Sequence, residues 1–123
     1  MQGRDEVVLI DDNRTNILLL KELLQDDFNI QSFHCPFKAQ YYITHHHPSI
    51  IISDLMMPGM NGIELLKKVK ALKSDIIFII LTAHDDKGRK NKAIRNGADG
   101  FMQKPLNIRE FRNTIQSIIQ SVQ

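Results

Sequence analysis

The chain has 123 residues, 42% hydrophobic and 24% charged, with 16 Lys and Arg against 14 Asp and Glu and a formal net charge of +2. A domain of this length buries a real core without covalent staples, its single cysteine, Cys35, excludes an internal disulfide and fits a reducing compartment, and the charge is too small to argue for nucleic acid. No apolar run approaches membrane-spanning length and no apolar signal region opens the chain, so a cytoplasmic protein without membrane or direct nucleic-acid contacts is the expectation.

The predicted elements alternate. Val7–Ile10 reads as a strand running into Asp11-Asp12. Asn13 caps a helix reaching about Asp26, with Ile17, Leu20, Leu23 and Leu24 at helical spacing. Asn29–Phe33 is the second strand, and Pro36 suits the first turn of a second helix ending near His45. Ile50–Ser53 is the third strand and runs into Asp54. Asn61 and Glu64 have the spacing of a capping box, opening a third helix that buries Ile63, Leu66 and Val69 and stops before Ser74. Ile76–Leu81 leads to Thr82. A fourth helix from about Asp86 to Asn96 stops at Gly97, a residue suited to a left-handed turn. Gly100–Gln103 runs into Lys104-Pro105, and Asn107 with Glu110 repeats the capping signature before a fifth helix. That helix carries Ile108, Phe111, Ile115, Ile118 and Ile119 on one face and runs almost to the last residue.

Continuous β-branched runs predict strands buried on both faces, and so a parallel sheet. Strand–helix alternation then gives right-handed crossovers and a doubly wound α/β/α sandwich. Without a linker, repeat or low-complexity tract, residues 1–123 read as a single domain with no effector domain. Ligands of open parallel sheets lie beyond the carboxyl ends of the strands. Asp11, Asp12, Asp54, Thr82 and Lys104 all fall there.

Three carboxylates at one sheet edge repel: two like charges about 4 Å apart cost roughly 4 kcal/mol at an effective dielectric near 20. An oxygen-only donor set with open positions suits Mg²⁺. Asp54 can accept a phosphoryl group as an acyl phosphate, with Thr82 offering a hydroxyl and Lys104 a compact charge to phosphate oxygens. Singly, Asp11 and Asp12 could merely cap a helix, Thr82 merely extend a strand and Lys104 merely face solvent. The joint arrangement favours a site.

The ordered set Asp11-Asp12, Asp54-Leu55-Met56-Met57-Pro58-Gly59-Met60-Asn61-Gly62, Thr82-Ala83 and Asn96 to Pro105 resembles the receiver domain of the response-regulator family of two-component signalling, over essentially the whole chain. The resemblance implies a five-stranded parallel sheet of flavodoxin-like order 2-1-3-4-5. It implies that Asp54 is the phosphoacceptor, and that Asp12, Asp54 and the Met56 backbone carbonyl hold Mg²⁺ directly while Asp11 helps through water. Thr82 and Lys104 would bind phosphoryl oxygens, Phe101 would be the switch aromatic, and Lys104–Pro105 would be cis. It further implies a sensor histidine kinase or histidine phosphotransfer protein as donor, and an output domain or downstream protein as target. The face of the fourth helix, fifth strand and fifth helix would change on phosphorylation, with a phosphorylation-dependent dimer as one outcome. Such a domain promotes its own phosphorylation and dephosphorylation without being an enzyme in the ordinary sense. Asp12 to Asn16 is similar to receivers of hybrid kinases and of multidomain regulators with enzymatic outputs.

Three other readings remain. A flavodoxin would need a Ser/Thr/Gly-rich loop where Asp11-Asp12-Asn13-Arg14 stands. An aspartate-nucleophile phosphatase resembles Asp-x-Asp at its first strand, absent here. A receiver-like module that binds partners without phosphorylation would not need the full acceptor set. His45-His46-His47, ahead of Pro48, reads as a solvated helix end. Lys87, Arg89, Lys90, Lys92 and Arg95 read as a solvated basic face, with partner docking the sharper alternative. Met56 and His84 flank the expected phosphate and could control water access to it.

Overall fold

The computed structural model describes residues 5–83 and 87–121. Its elements alternate along the chain: β1 Glu6–Ile10, α1 Arg14–Leu24, β2 Asn29–Phe33, α2 Pro36–His45, β3 Ile50–Asp54, α3 Gly62–Leu72, β4 Ile77–Thr82, α4 Lys87–Arg95, β5 Gly100–Gln103 and α5 Ile108–Ser121. The five strands form one sheet of order β2-β1-β3-β4-β5, and each neighbouring pair is parallel. This is the flavodoxin-like arrangement.

Strand periodicity splits the core in two. Val8, Ile10, Ile51, Phe78 and Ile80 pack on one face with residues of α2, α3 and α4. Val7, Leu9, Ile50, Ile52, Ile79 and Leu81 pack on the other with α1, Phe111 and Ile115. The helices therefore cover both faces, and β1, β3 and β4 are buried throughout except at Glu6 and Asp54.

The outer strands depart from the expectation of burial on both faces. Asn29 and Gln31 of β2 are exposed, and β5 is at most half-buried. An outer strand has a neighbour on one side only, and polar residues at alternate positions of β2 face the solvent it leaves open. Ile108, expected on the buried face of α5, is 53% exposed. It is the first residue of that helix, whereas Phe111 and Ile115 one and two turns further on are buried.

Local chemistry sets the helix starts. The Asn13 side chain accepts from the backbone N–H groups of Thr15 and Asn16. The Asn61–Glu64 capping box is complete, each side chain accepting from the other's backbone. Asn107 accepts from Glu110 N–H at 3.0 Å. Gly97, with φ +101°, ends the α4 turn in a conformation side-chain-bearing residues rarely adopt. Gly62 is needed for another reason: a Cβ there would lie 2.7 Å from the backbone oxygen of Asp54. At the end of α2, His46 stacks on Tyr42 and His45 packs at a tilt against Tyr41, and His47 pairs with Asp75 at 3.0 Å. The three histidines are exposed, as expected of a solvated helix end.

At the amino edge of the sheet Lys70 ties several elements together. Lys70 Nζ donates to the carbonyls of Ser74 and Ile76 and to the Asp99 carboxylate at 3.0 Å. Asp99 also accepts from Phe78 N–H and donates its own N–H to the Phe78 carbonyl.

Candidate functional site

The register gathers the chemistry at the opposite, carboxyl edge. Ile10 pairs with Ser53, Asp54 with Leu81 and Thr82 with Gln103. Asp11 and Lys104 each follow a strand end by one residue. Asp54 and Thr82 are themselves the last residues of β3 and β4, so both strands run one residue further than expected.

Asp11, Asp12 and Asp54 each offer a carboxylate oxygen, all within 4.8 Å of one another. Asp11 is 2% exposed, while Asp12 faces solvent. Asp11 accepts from Asn13 N–H at 2.9 Å, from Asn16 Nδ2 at 3.2 Å and from Lys104 Nζ at 3.1 Å. Lys104 Nζ also donates to Asp54 at 3.1 Å. Lys104 N–H donates to the Thr82 carbonyl, fixing where the ammonium is delivered. Three carboxylates around one ammonium leave two negative charges in the cluster.

Burial first, and that excess second, show in the protonation equilibria. Burial, then the charge of Asp11, pushes the Asp54 carboxyl above its ordinary range against the opposing pull of Lys104 and the Leu55 backbone. Burial pulls the Lys104 ammonium down, but its bonds to Asp54 and Asp11 outweigh this and hold it above its ordinary value. A hard divalent cation among the three carboxylates would relieve the same repulsion, and these oxygen donors fit Mg²⁺. Asp11 is already engaged by three protein donors.

The chain matches the response regulator receiver domain family over residues 7–116. It belongs to that family. Its relatives include "Histidine kinase P4" of Formosa agariphila, 32% identical over 120 residues that cover 96% of this chain and 9% of that protein. Sporulation initiation phosphotransferase F of Bacillus subtilis is 27% identical, with 94% of each chain covered. A CheY-like response regulator receiver domain protein from Methanospirillum hungatei superposes with a TM-score of 0.92 at 20% identity, covering 98% of this chain and 97% of that one, which establishes the shared fold. Counting histidine kinase P4, the chain spans between 9% and 23% of the length of several relatives it matches. Among the described residues, no helix is long and apolar enough to cross a membrane.

Within this receiver the other expected residues are placed as follows. The Lys104–Pro105 peptide is cis. Thr82 is buried. Phe101 pairs with Ile80 in the sheet and packs, half-buried, on the same core face as Phe78 and Ile80. Alternation along β4 puts Thr82 on that face too. His84 lies outside the described residues. Met56 is half exposed, and its Sδ accepts from Arg89 Nη1 at 2.9 Å.

Two further groups touch the receiver's acidic cluster without having been assigned a role from sequence. Asn16 reaches Asp11 from the first turn of α1, and His34 Nδ1 lies 3.1 Å from the Asp11 carbonyl oxygen. His34 is the first residue beyond β2, so the rule that placed the acids at strand ends also points to it. A groove of about 420 Å³ opens beside Lys104, lined by Asn16, Leu19, Leu20, Ala83, Pro105 and Leu106. Leu19 of this lining is exposed, as is the preceding residue of α1, Leu18.

Proposed function

We propose that this receiver accepts a phosphoryl group on Asp54 in a Mg²⁺-dependent reaction and relays the event through the face of α4, β5 and α5. The observation that carries the proposal is the Lys104 ammonium, 3.1 Å from both Asp11 and Asp54 inside a three-carboxylate cluster. A purely structural ion pair does not require the second and third acids.

In the proposed step an Asp54 carboxylate oxygen attacks phosphorus and the bond from phosphorus to the donor breaks, the leaving group departing with the electron pair. For a phosphohistidine donor that group is an imidazole nitrogen. Asp12, Asp54 and the Met56 carbonyl would hold Mg²⁺, with Asp11 acting through water. When bound, the ion neutralises charge on the attacking and transferring oxygens. Lys104 turns from carboxylate to phosphoryl oxygen, and the Thr82 hydroxyl donates to another.

Phosphorylation adds charge for about 1–3 new charge-assisted hydrogen bonds. Each is worth roughly 1.5–3 kcal/mol, and moving an equilibrium from 1:99 to 99:1 takes roughly 5.5 kcal/mol. Bonds to Thr82, Lys104 and a backbone amide near Ala83 are therefore enough. Motion of Thr82 towards the phosphoryl group frees space on the face it shares with Phe101, which turns inward and alters the surface of α4, β5 and α5.

The donor is a sensor histidine kinase or a histidine phosphotransfer protein, docked over the groove beside Lys104 and the exposed leucines of α1. The target is an output domain or separate protein, and dimerisation is one possible response. Intact mass after incubation with acetyl phosphate tests the core of this reading. One phosphoryl increment, abolished by EDTA and by Asp54→Asn, is expected. A folded protein that takes no increment and gains no stability from fluoroberyllate would instead be a binding module.

A further inference from the structure

His34 is the first residue beyond β2, and its ring turns back onto the acidic loop. Nδ1 lies 3.1 Å from the Asp11 carbonyl oxygen. A carbonyl only accepts, so Nδ1 carries the hydrogen. The rung beside it is a backbone one, in which Asp11 N–H donates to the Phe33 carbonyl at 3.1 Å. In a parallel ladder the next rung would reach the Asp11 carbonyl from the residue two beyond Phe33. That residue is Cys35, where the chain leaves the strand as the N-cap of α2. The His34 side chain supplies a donor at the point where the backbone turns away.

The bond bears on the acidic cluster through one peptide plane. The Asp11 carbonyl belongs to the peptide that joins Asp11 to Asp12, and the atoms of that planar unit move together. The Asp11 side chain is fixed independently: it is buried and accepts from Asn13 N–H, Asn16 Nδ2 and Lys104 Nζ. Asp12 is exposed, so packing does not hold its carboxylate and the peptide that carries it must. That carboxylate has an oxygen within 4.8 Å of those of Asp11 and Asp54. Rotation of the Asp11–Asp12 peptide would swing Asp12 out of the cluster and leave the Asp11 carboxylate in place.

We infer that His34 is a positioning residue: by holding the Asp11–Asp12 peptide it sets Asp12 for a divalent cation. The inference rests on the Mg²⁺ site of the proposed function and not on phosphoryl transfer itself. The ring touches neither the ion nor the phosphoryl group. Groups that orient a metal ligand in this way commonly change metal affinity about ten-fold or more when removed.

The test measures Mg²⁺ affinity by NMR titration of the backbone amides, without any phosphodonor and at one pH, in wild type, His34→Ala, His34→Asn and His34→Gln. The amide nitrogen of asparagine can take the place of Nδ1, whereas that of glutamine falls nearer Nε2. His34→Ala is expected to bind Mg²⁺ about five- to ten-fold more weakly. His34→Asn keeps most of the wild-type affinity, and His34→Gln follows alanine. With acetyl phosphate, His34→Ala needs more Mg²⁺ for half-maximal labelling and reaches the wild-type rate at saturation. Unchanged affinity in His34→Ala overturns the inference, as does an equal loss in all three variants or a slower rate at saturating Mg²⁺ with affinity intact. Wild type that binds no Mg²⁺ overturns the metal reading and takes this inference with it. Wild type that binds Mg²⁺ but takes no phosphoryl group overturns the acceptor reading alone, and the affinities still decide the role of His34.

Discussion

Lys104 at the end of β5 lies 3.1 Å from Asp54 at the end of β3, and the same ammonium reaches Asp11 at 3.1 Å. One cation thus occupies the ground that a divalent ion would share. Lys104→Met keeps the apolar stem and removes the charge, so the two forms should respond differently to Mg²⁺. In EDTA the variant is expected to lose about 1–3 kcal/mol, because two largely buried carboxylates lose their partner. Mg²⁺ should bind it several-fold more tightly than wild type, by calorimetry. Equal Mg²⁺ affinity would mean that lysine and metal do not compete for these carboxylates.

The raised carboxyl of Asp54 makes a signed prediction for pH. Its folded-state value lies above the ordinary one, through burial first and Asp11 second. Between those two values the native state binds more protons than the unfolded chain, so stability falls as pH rises through that window. At neutral pH without metal the ionised group is therefore a net cost. Asp54→Asn should melt a few degrees higher there, a shift of about 2–5 °C for a domain of this size. The difference should vanish below the ordinary carboxyl range and shrink when Mg²⁺ is added. A variant that melts lower than wild type at neutral pH in EDTA would contradict this assignment.

Gly62 tests how tightly the acceptor strand is packed. An added Cβ meets the Asp54 carbonyl oxygen at 2.7 Å and Leu55 Cα at 3.2 Å, both backbone atoms. Alanine improves helix propensity by roughly 1 kcal/mol over glycine. The clash should outweigh that gain, leaving Gly62→Ala destabilised by about 1–3 kcal/mol in urea and weaker in Mg²⁺ binding. A stabilised variant would show that the β3–α3 loop yields cheaply.

Thr82→Ala separates labelling from switching. The variant should still take a phosphoryl group on Asp54, because the attacking oxygen and the three carboxylates are untouched. It should lose the response of Phe101 to fluoroberyllate. The chain holds no tryptophan, so the readout is NMR of the Phe101 ring. An undiminished Phe101 response would remove Thr82 from the switch.

The sheet was legible because β1, β3 and β4 are apolar on both faces, and their ends announced themselves through Asp11, Asp54 and Thr82. The capping asparagines at 13, 61 and 107 were equally readable, since capping is chemistry local to one turn. The outer strands were harder. Asn29 and Gln31 disclose an edge only once β2 is known to have a single neighbour. Ile108 fits the helical stripe of α5, yet its exposure depends on which residues the sheet below extends far enough to cover. The residues gathered at the carboxyl edge were legible from their position at strand ends, whereas contacts made across elements were not. Nothing in the local sequence of Met56 announces Arg89, and nothing around Asp11 announces the ring of His34.

The Lys70 ammonium gives the molecule two ends of unequal stiffness. It ties the exit of α3, the entry of β4 and the turn before β5 together at one point. By contrast α4 buries only Ala93. Any displacement begun near Thr82 therefore meets a fixed heel at Asp99 and a lightly held shaft in α4. In the proposed switch the helix would pivot about that heel, its first turn, nearest the acidic edge, travelling furthest. Amide exchange should then be slow around Phe78 and Asp99 and fast along the first turn of α4.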